Sequence, residues 1–332
     1  MAPSSPPKVA LLGTEKTGYF KDHFRAWEGE TEMNRAFFRP TVTGEACAVI
    51  AAVLWGINYP VTKWVLGAIP EGEFLAVRFS AGVALFVAIA RMQGENLAMP
   101  RKDWGKAAVL GLLCVGLYHI LWTLGIHRTS SSTSALIVSS SPILTGVFCS
   151  FLGMERMTPR RWLGLSLGFT GVVLIMLSNS RGMSGHESLL AGNFLTSLSA
   201  ILFALYAVVS KPLLREHSPV KVTAMAMLGG LPLILPFSLV TSPLRSWVLP
   251  QPEILLGGFY VILLGTVLAY FLWYCGIQKI GPVQTVLFHF VTPCVSLVVA
   301  PILLGDSSAP AKLLGAFIVF FSVMLSRWKP DA

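Results

Sequence analysis

Ten stretches of membrane-crossing length, almost bare of charge, follow one another along this chain of 332 residues, and few folds accommodate that pattern. A bilayer core of ~30 Å is crossed by about 20 apolar residues in a helix rising ~1.5 Å per residue. Reading from one charge to the next predicts spans 1 to 10 at 44–66, 71–91, 105–126, 130–153, 161–179, 191–211, 219–240, 254–277, 282–304 and 309–327. The last is the shortest uncharged run, since only Leu313 to Ser326 lies between Lys312 and Arg327. A transmembrane barrel uses alternating segments of ~10 residues, and these runs are continuously apolar. In hydrocarbon the backbone amides must be satisfied within the segment, so helices follow. Only 12% of the residues are charged, against roughly 25% in an ordinary soluble chain. A soluble enzyme, a disordered chain and a secreted disulfide scaffold are thereby excluded, and the expected class is an all-α polytopic membrane protein.

The formal net charge of +9 gains meaning from its placement. With the N-terminus inside, nineteen of the 25 Lys and Arg residues fall on the cytoplasmic side and four on the other, while Lys63 and Arg78 lie inside spans. The positive-inside rule therefore predicts a multi-pass protein of the plasma or inner membrane with both termini cytoplasmic. The same distribution gives no clustered basic face for nucleic acid, which is not expected as a partner. Residues 1–43 are rich in Pro and Ser at the start and mixed in charge later, and they lack an apolar signal region, so a flexible cytoplasmic tail is expected. Cys47, Cys114, Cys149, Cys275 and Cys294 all fall within spans without CxxC spacing and read as packing residues, not disulfides.

The chain also repeats itself. At an offset of 151 residues, Leu121-Trp122 overlay Leu272-Trp273, Gly125-Ile126 overlay Gly276-Ile277, Pro142 overlays Pro293, Pro159 overlays Pro310 and Gly164 overlays Gly315. Near the start of each half the offset is 148, where Trp55 overlays Phe203 and Val61-Thr62-Lys63 overlay Val209-Ser210-Lys211. Two five-span repeats, 44–180 and 191–327, follow. An odd number of crossings starts the second repeat on the opposite face, so the repeats are expected to be inverted, as in alternating-access carriers with a midplane site. A duplication retained for packing alone is the competing reading.

The segments from Tyr118 (YHILWTLGIHRTSSSTSALIVSSSPILTGVF) and from Leu268 (LAYFLWYCGIQKIGPVQTVLFHFVTPCVSLVV) resemble the two EamA domains of the drug/metabolite transporter superfamily. So do Leu54-Trp55-Gly56 in span 1, the proline in the fourth span of each repeat, and the acidic residues Glu155 and Asp306 that end those spans. The resemblance covers about 44–327. It implies a ten-helix carrier with a central cavity lined by spans 1, 3, 4, 6, 8 and 9, and relatives that export amino acids and related metabolites.

Helical spacing brings out the side chains able to face such a cavity. Trp55, Asn58, Tyr59 and Thr62 share a face of span 1, and Phe203, Tyr206 and Ser210 the corresponding face of span 6. Span 3 contributes His119 and Trp122, and span 8 contributes Tyr270 and Trp273 at the equivalent positions. On span 9, Thr285, His289, Thr292 and Ser296 form a polar stripe whose mates on span 4 are Ser134, Val138, Ser141 and Thr145. The aromatic residues read either as a substrate lining or as an interfacial belt. The hydroxyls read either as substrate ligands or as helix-packing residues. Pro142 and Pro293 each remove a helix hydrogen bond and allow the bending that gating requires.

All 16 Asp and Glu residues lie in tails, loops or first turns of spans, which counts against cation-selective efflux and carboxylate-based proton coupling. Lys63, Lys211 and Arg78 offer charge to a substrate carboxylate, though snorkelling accounts for lysines near helix ends. The leading expectation is a secondary transporter exporting amino acids or related small metabolites. Drug efflux and sugar-phosphate or nucleotide-sugar exchange are alternatives within the superfamily. An intramembrane lipid-modifying enzyme lacks the acidic or metal motif it would need. The expected partners are a small-molecule substrate and the lipid bilayer, with no metal and no cofactor, and a homodimer is left open.

Overall fold

The computed structural model describes residues 43–154, 158–178, 186–242 and 251–305, with a few positions between 314 and 322. The expected tail, most of span 10, Glu155 and Asp306 lie outside the described residues. All regular structure among the described residues is helical: α1 Gly44–Leu66, α2 Glu71–Met92, α3 Arg101–Arg128, α4 Ser131–Phe151, α5 Pro159–Ser178, α6 His186–Glu216, α7 Pro219–Thr241, α8 Pro252–Ile280 and α9 Pro282–Leu304. Eight of them, α1–α4 and α6–α9, are long and apolar enough to cross a membrane. The nine helices follow spans 1 to 9 within a few residues. The largest difference is α6, which continues through Lys211 and Arg215, because a charge ends an apolar run without ending a helix.

The ends are set by local chemistry. Thr43, Ser130 and Ser218 cap α1, α4 and α7 by accepting from the amides of Ala46, Thr133 and Lys221. Gly281, at φ 83°, supplies the left-handed residue that separates α8 from α9, and Pro282 then starts α9 where its missing N–H leaves nothing unsatisfied.

Four helices depart from α geometry, in matching places. α4 is interrupted at Ser139-Ser140, and Pro142 lies in the first turn of its second segment, Ser141–Phe151. α9 narrows into a 3₁₀ turn at Phe288–Phe290, and Pro293 follows in the first turn of Val291–Leu304. Each proline leaves a carbonyl one turn earlier without its helical donor. α3 widens to π geometry over Val109–Leu117, and α8 does so over Tyr260–Leu268, residue for residue at the 151 offset.

The packing partners also correspond. α1 lies against α8 and α9, α6 lies against α3 and α4, and α2 packs on α7. α3 and α7 cross backbone to backbone at Gly111 and Gly229, where a Cβ added to Gly111 would stand 2.6 Å from the Gly229 Cα. Small residues at such crossings let membrane helices approach closely. Large apolar side chains face outward, Phe151 at 86% exposure, Val240 at 82% and Ile302 at 82% among them. Apolar surface on this scale suits contact with lipid.

Candidate functional site

A small cavity lies among α1, α2, α3, α6, α8 and α9, each reaching it through aromatic or polar side chains. α1 supplies Trp55, Asn58 and Tyr59, three or four residues apart and so on one face. α3 supplies Tyr118, His119 and Trp122 in the turn directly after its π segment. α8 supplies Tyr270, likewise just beyond its π segment, while Phe203 comes from α6 and His289 from the 3₁₀ turn of α9. Arg78 of α2 completes the lining.

The rings hold one another. Trp55 lies 5.2 Å from Tyr270 and 4.9 Å from Trp273 between ring centroids, and Tyr59 meets Trp122 edge-on at 5.3 Å. His289 faces Phe203 at 4.8 Å. The Trp55 indole N–H donates to the Gly265 carbonyl at 3.0 Å, and the Tyr260 hydroxyl donates to the Leu54 carbonyl at 2.9 Å, so the π segment of α8 is bonded to α1 twice. Pairs of this kind fix ring orientation as well as burying area.

At the centre the Tyr270 hydroxyl and His119 Nε2 lie 2.7 Å apart, and His119 Nδ1 lies 2.8 Å from the Val115 carbonyl. A carbonyl only accepts, so Nδ1 carries the proton, and in the neutral ring Nε2 accepts from tyrosine. These two residues are separated by 151 positions and are therefore equivalent in the two halves.

The structure thus brings Trp55, Asn58, Tyr59, His119, Trp122, Tyr270 and His289 together around one space. It places Trp273 and Tyr206 behind the lining, against Trp55 and Phe203 respectively. Ser141 is buried away from the cavity, and the Thr292 hydroxyl donates to the Ala52 carbonyl at 3.1 Å, joining α9 to α1. Thr145 similarly bonds the Ala204 carbonyl, joining α4 to α6. The polar stripe therefore divides: His289 reaches the cavity, while the bonded threonines serve helix packing. α4 contributes no lining side chain, and α2 stands in its place.

The lining holds no carboxylate and carries the Arg78 cation. Tyr118 was missing from the expected set, although it stands four residues before Trp122 and next to His119. The cavity is about 20 Å³, room for roughly one water. An amino-acid-sized solute therefore requires the surrounding helices to separate.

Residues 42–177 and 190–328 each match the EamA-like transporter family. The chain belongs to that family. Among its relatives, the uncharacterized transporter YyaM of Bacillus subtilis (strain 168) is 24% identical over 82% of this chain and 90% of its own. The uncharacterized transporter YetK of the same organism is 26% identical over 85% of this chain and 87% of its own, and protein PecM of Dickeya dadantii (strain 3937) is 26% identical over 84% and 90%. A solved crystal structure 18% identical in sequence superimposes with a TM-score of 0.69 over 86% of this chain and 96% of that one, a likeness of fold alone. With its EamA-family sequence and eight apolar helices of crossing length among the described residues, the chain is an integral multi-pass membrane transporter.

Two polar groupings lie outside the cavity of this EamA-family chain. Asp103, Glu216 and His217 bring ligand-type atoms within 4.8 Å of one another. Lys102 bonds Glu216, Lys106 lies 3.4 Å from Asp103, and His217 lies 3.0 Å from Asp103, so the cluster is an ionic clasp between α3 and the α6 end. At the other end of the bundle, the Lys63 ammonium donates to the carbonyls of Ile126, His127 and Thr129, capping α3, where the sequence suggested snorkelling into the interface.

Proposed function

We propose that this transporter is a secondary carrier that exports amino acids or related small metabolites by alternating access, with two inverted five-helix repeats rocking about the cavity. The observation that carries this reading is the His119–Tyr270 contact: equivalent residues of the two halves meet at the cavity, as expected near a pseudo-two-fold axis in the membrane plane. The exchange of partners supports it too. α1 packs on α8 and α9 as α6 packs on α3 and α4, and the π segments and the breaks at Pro142 and Pro293 recur in register. In this reading the broken helices α4 and α9 act as gates, and both termini are cytoplasmic. The aromatic lining takes the apolar part of the solute.

Purified protein in liposomes is expected to give saturable flux of at least one labelled amino acid. Leakage no faster than from empty vesicles across all twenty would overturn the assignment.

A further inference from the structure

We propose that Arg78 anchors a carboxylate of the transported solute, so that the substrates are small monocarboxylates, zwitterionic amino acids included; this rests on the carrier reading above. Arg78 is buried in α2 and lines the cavity. Its Nε donates to the Thr266 hydroxyl at 2.8 Å, and its Nη1 has no hydrogen-bond partner. The guanidinium carbon stands 5.7 Å from the Phe74 ring centre, 5.4 Å from Phe79 and 5.6 Å from Trp122. One neutral hydroxyl and three ring faces only partly compensate a guanidinium withdrawn from water.

No acid answers it. The cavity lining contains neither Asp nor Glu. Glu73, the nearest acid before it on α2, is five residues away and so about 140° around the helix. The second half offers no matching charge, because the equivalent stretch of α7, Ala226 to Gly229, is uncharged. An ionisable residue kept at membrane depth without a charged partner is expensive and marks a functional site. A single planar cation with free donors suits one carboxylate, and a second cation for a phosphate dianion is missing from the lining. Asn58 Oδ1 and His289 Nδ1, also buried without partners, remain for the polar atoms next to that carboxylate. The surrounding rings accept an ammonium or an apolar side chain.

The test compares acids with their primary amides, which keep size and shape but lose the charge. Labelled amino acids, phenylacetate and each corresponding amide are presented to wild-type protein in liposomes. Acids should move at least about tenfold faster than their amides. Arg78→Gln should abolish that preference, and Arg78→Lys should restore part of it. If amides move as fast as acids, the carboxylate anchor is wrong and the carrier reading stands; if nothing moves, both fall. Should Arg78→Gln fail to fold, the wild-type acid-to-amide ratio still decides. A purely structural role for Arg78 would lower stability in the variant without altering the ratio.

Discussion

The Tyr270 hydroxyl joins the two halves by a side-chain bond at the cavity centre, and its contribution can be isolated. Tyr270→Phe keeps the ring that packs on Trp55 and removes only the bond to His119. A hydrogen bond of this kind is worth about 1 kcal/mol, so initial flux in liposomes is expected to fall about fivefold with little change in melting temperature. Unchanged flux would detach the pair from transport. At this scale the sequence was most informative where a residue type is rare at depth. Trp, Tyr and His on shared helical faces pointed to six of the lining residues, and Asn58 on the same face of α1 made a seventh. Arg78 was visible as a charge within a span, yet charge position alone does not say whether a guanidinium faces lipid, a partner or a cavity. Thr292 and His289 share one stripe, and only the neighbouring Ala52 carbonyl separates their roles.

Among the elements, the prolines announced the breaks in α4 and α9, because a missing N–H has a fixed effect on a helix. The π segments of α3 and α8 were not legible, since the apolar run is the same whichever carbonyl each amide chooses. The Thr266 hydroxyl, bonded to the Val261 carbonyl five residues earlier, is a local trace of that choice. Close packing of α8 on α1 gives a prediction. A Cβ at Gly265 would lie 2.3 Å from Asn58 Oδ1, whereas one at Gly258 meets nothing within 4 Å. Gly265→Ala should therefore destabilise the protein by about 1–3 kcal/mol through overpacking, and Gly258→Ala should not. Thermal melts of the two detergent-solubilised variants check this, and equal melting temperatures would contradict the α1–α8 contact.

For the whole molecule, the apolar runs sufficed to place the nine described helices along the chain, because bilayer thickness acts on a simple count of residues. What they left open was which helices enclose the cavity. That depends on the rotation of each helix about its axis, and α2 was overlooked for this reason. Orientation is open to a direct measurement. A cysteine at Ala68, exposed between α1 and α2, should react with an impermeant maleimide on intact cells, and one at Ala98, exposed after α2, only after permeabilisation. The native cysteines are buried or half-buried, which keeps background labelling low. The reverse pattern would invert the assigned topology.

α3 and α8 contain 28 and 29 residues, more than the about 20 that a bilayer demands. Their π segments suggest what sets the excess. A π turn accommodates one residue more than an α turn for the same carbonyl-to-amide closure. Were 109–117 or 260–268 to relax to a regular α ladder at unchanged length, every later side chain would turn by about 100° relative to those before it. Tyr118, His119 and Trp122, or Tyr270 and Trp273, would then point elsewhere in an otherwise sound helix. The π turns of these two helices therefore set the angular phase of the cavity lining, independently of the length that membrane thickness demands, and a chain that regained the α ladder there would still insert with its aromatic rings turned away from one another.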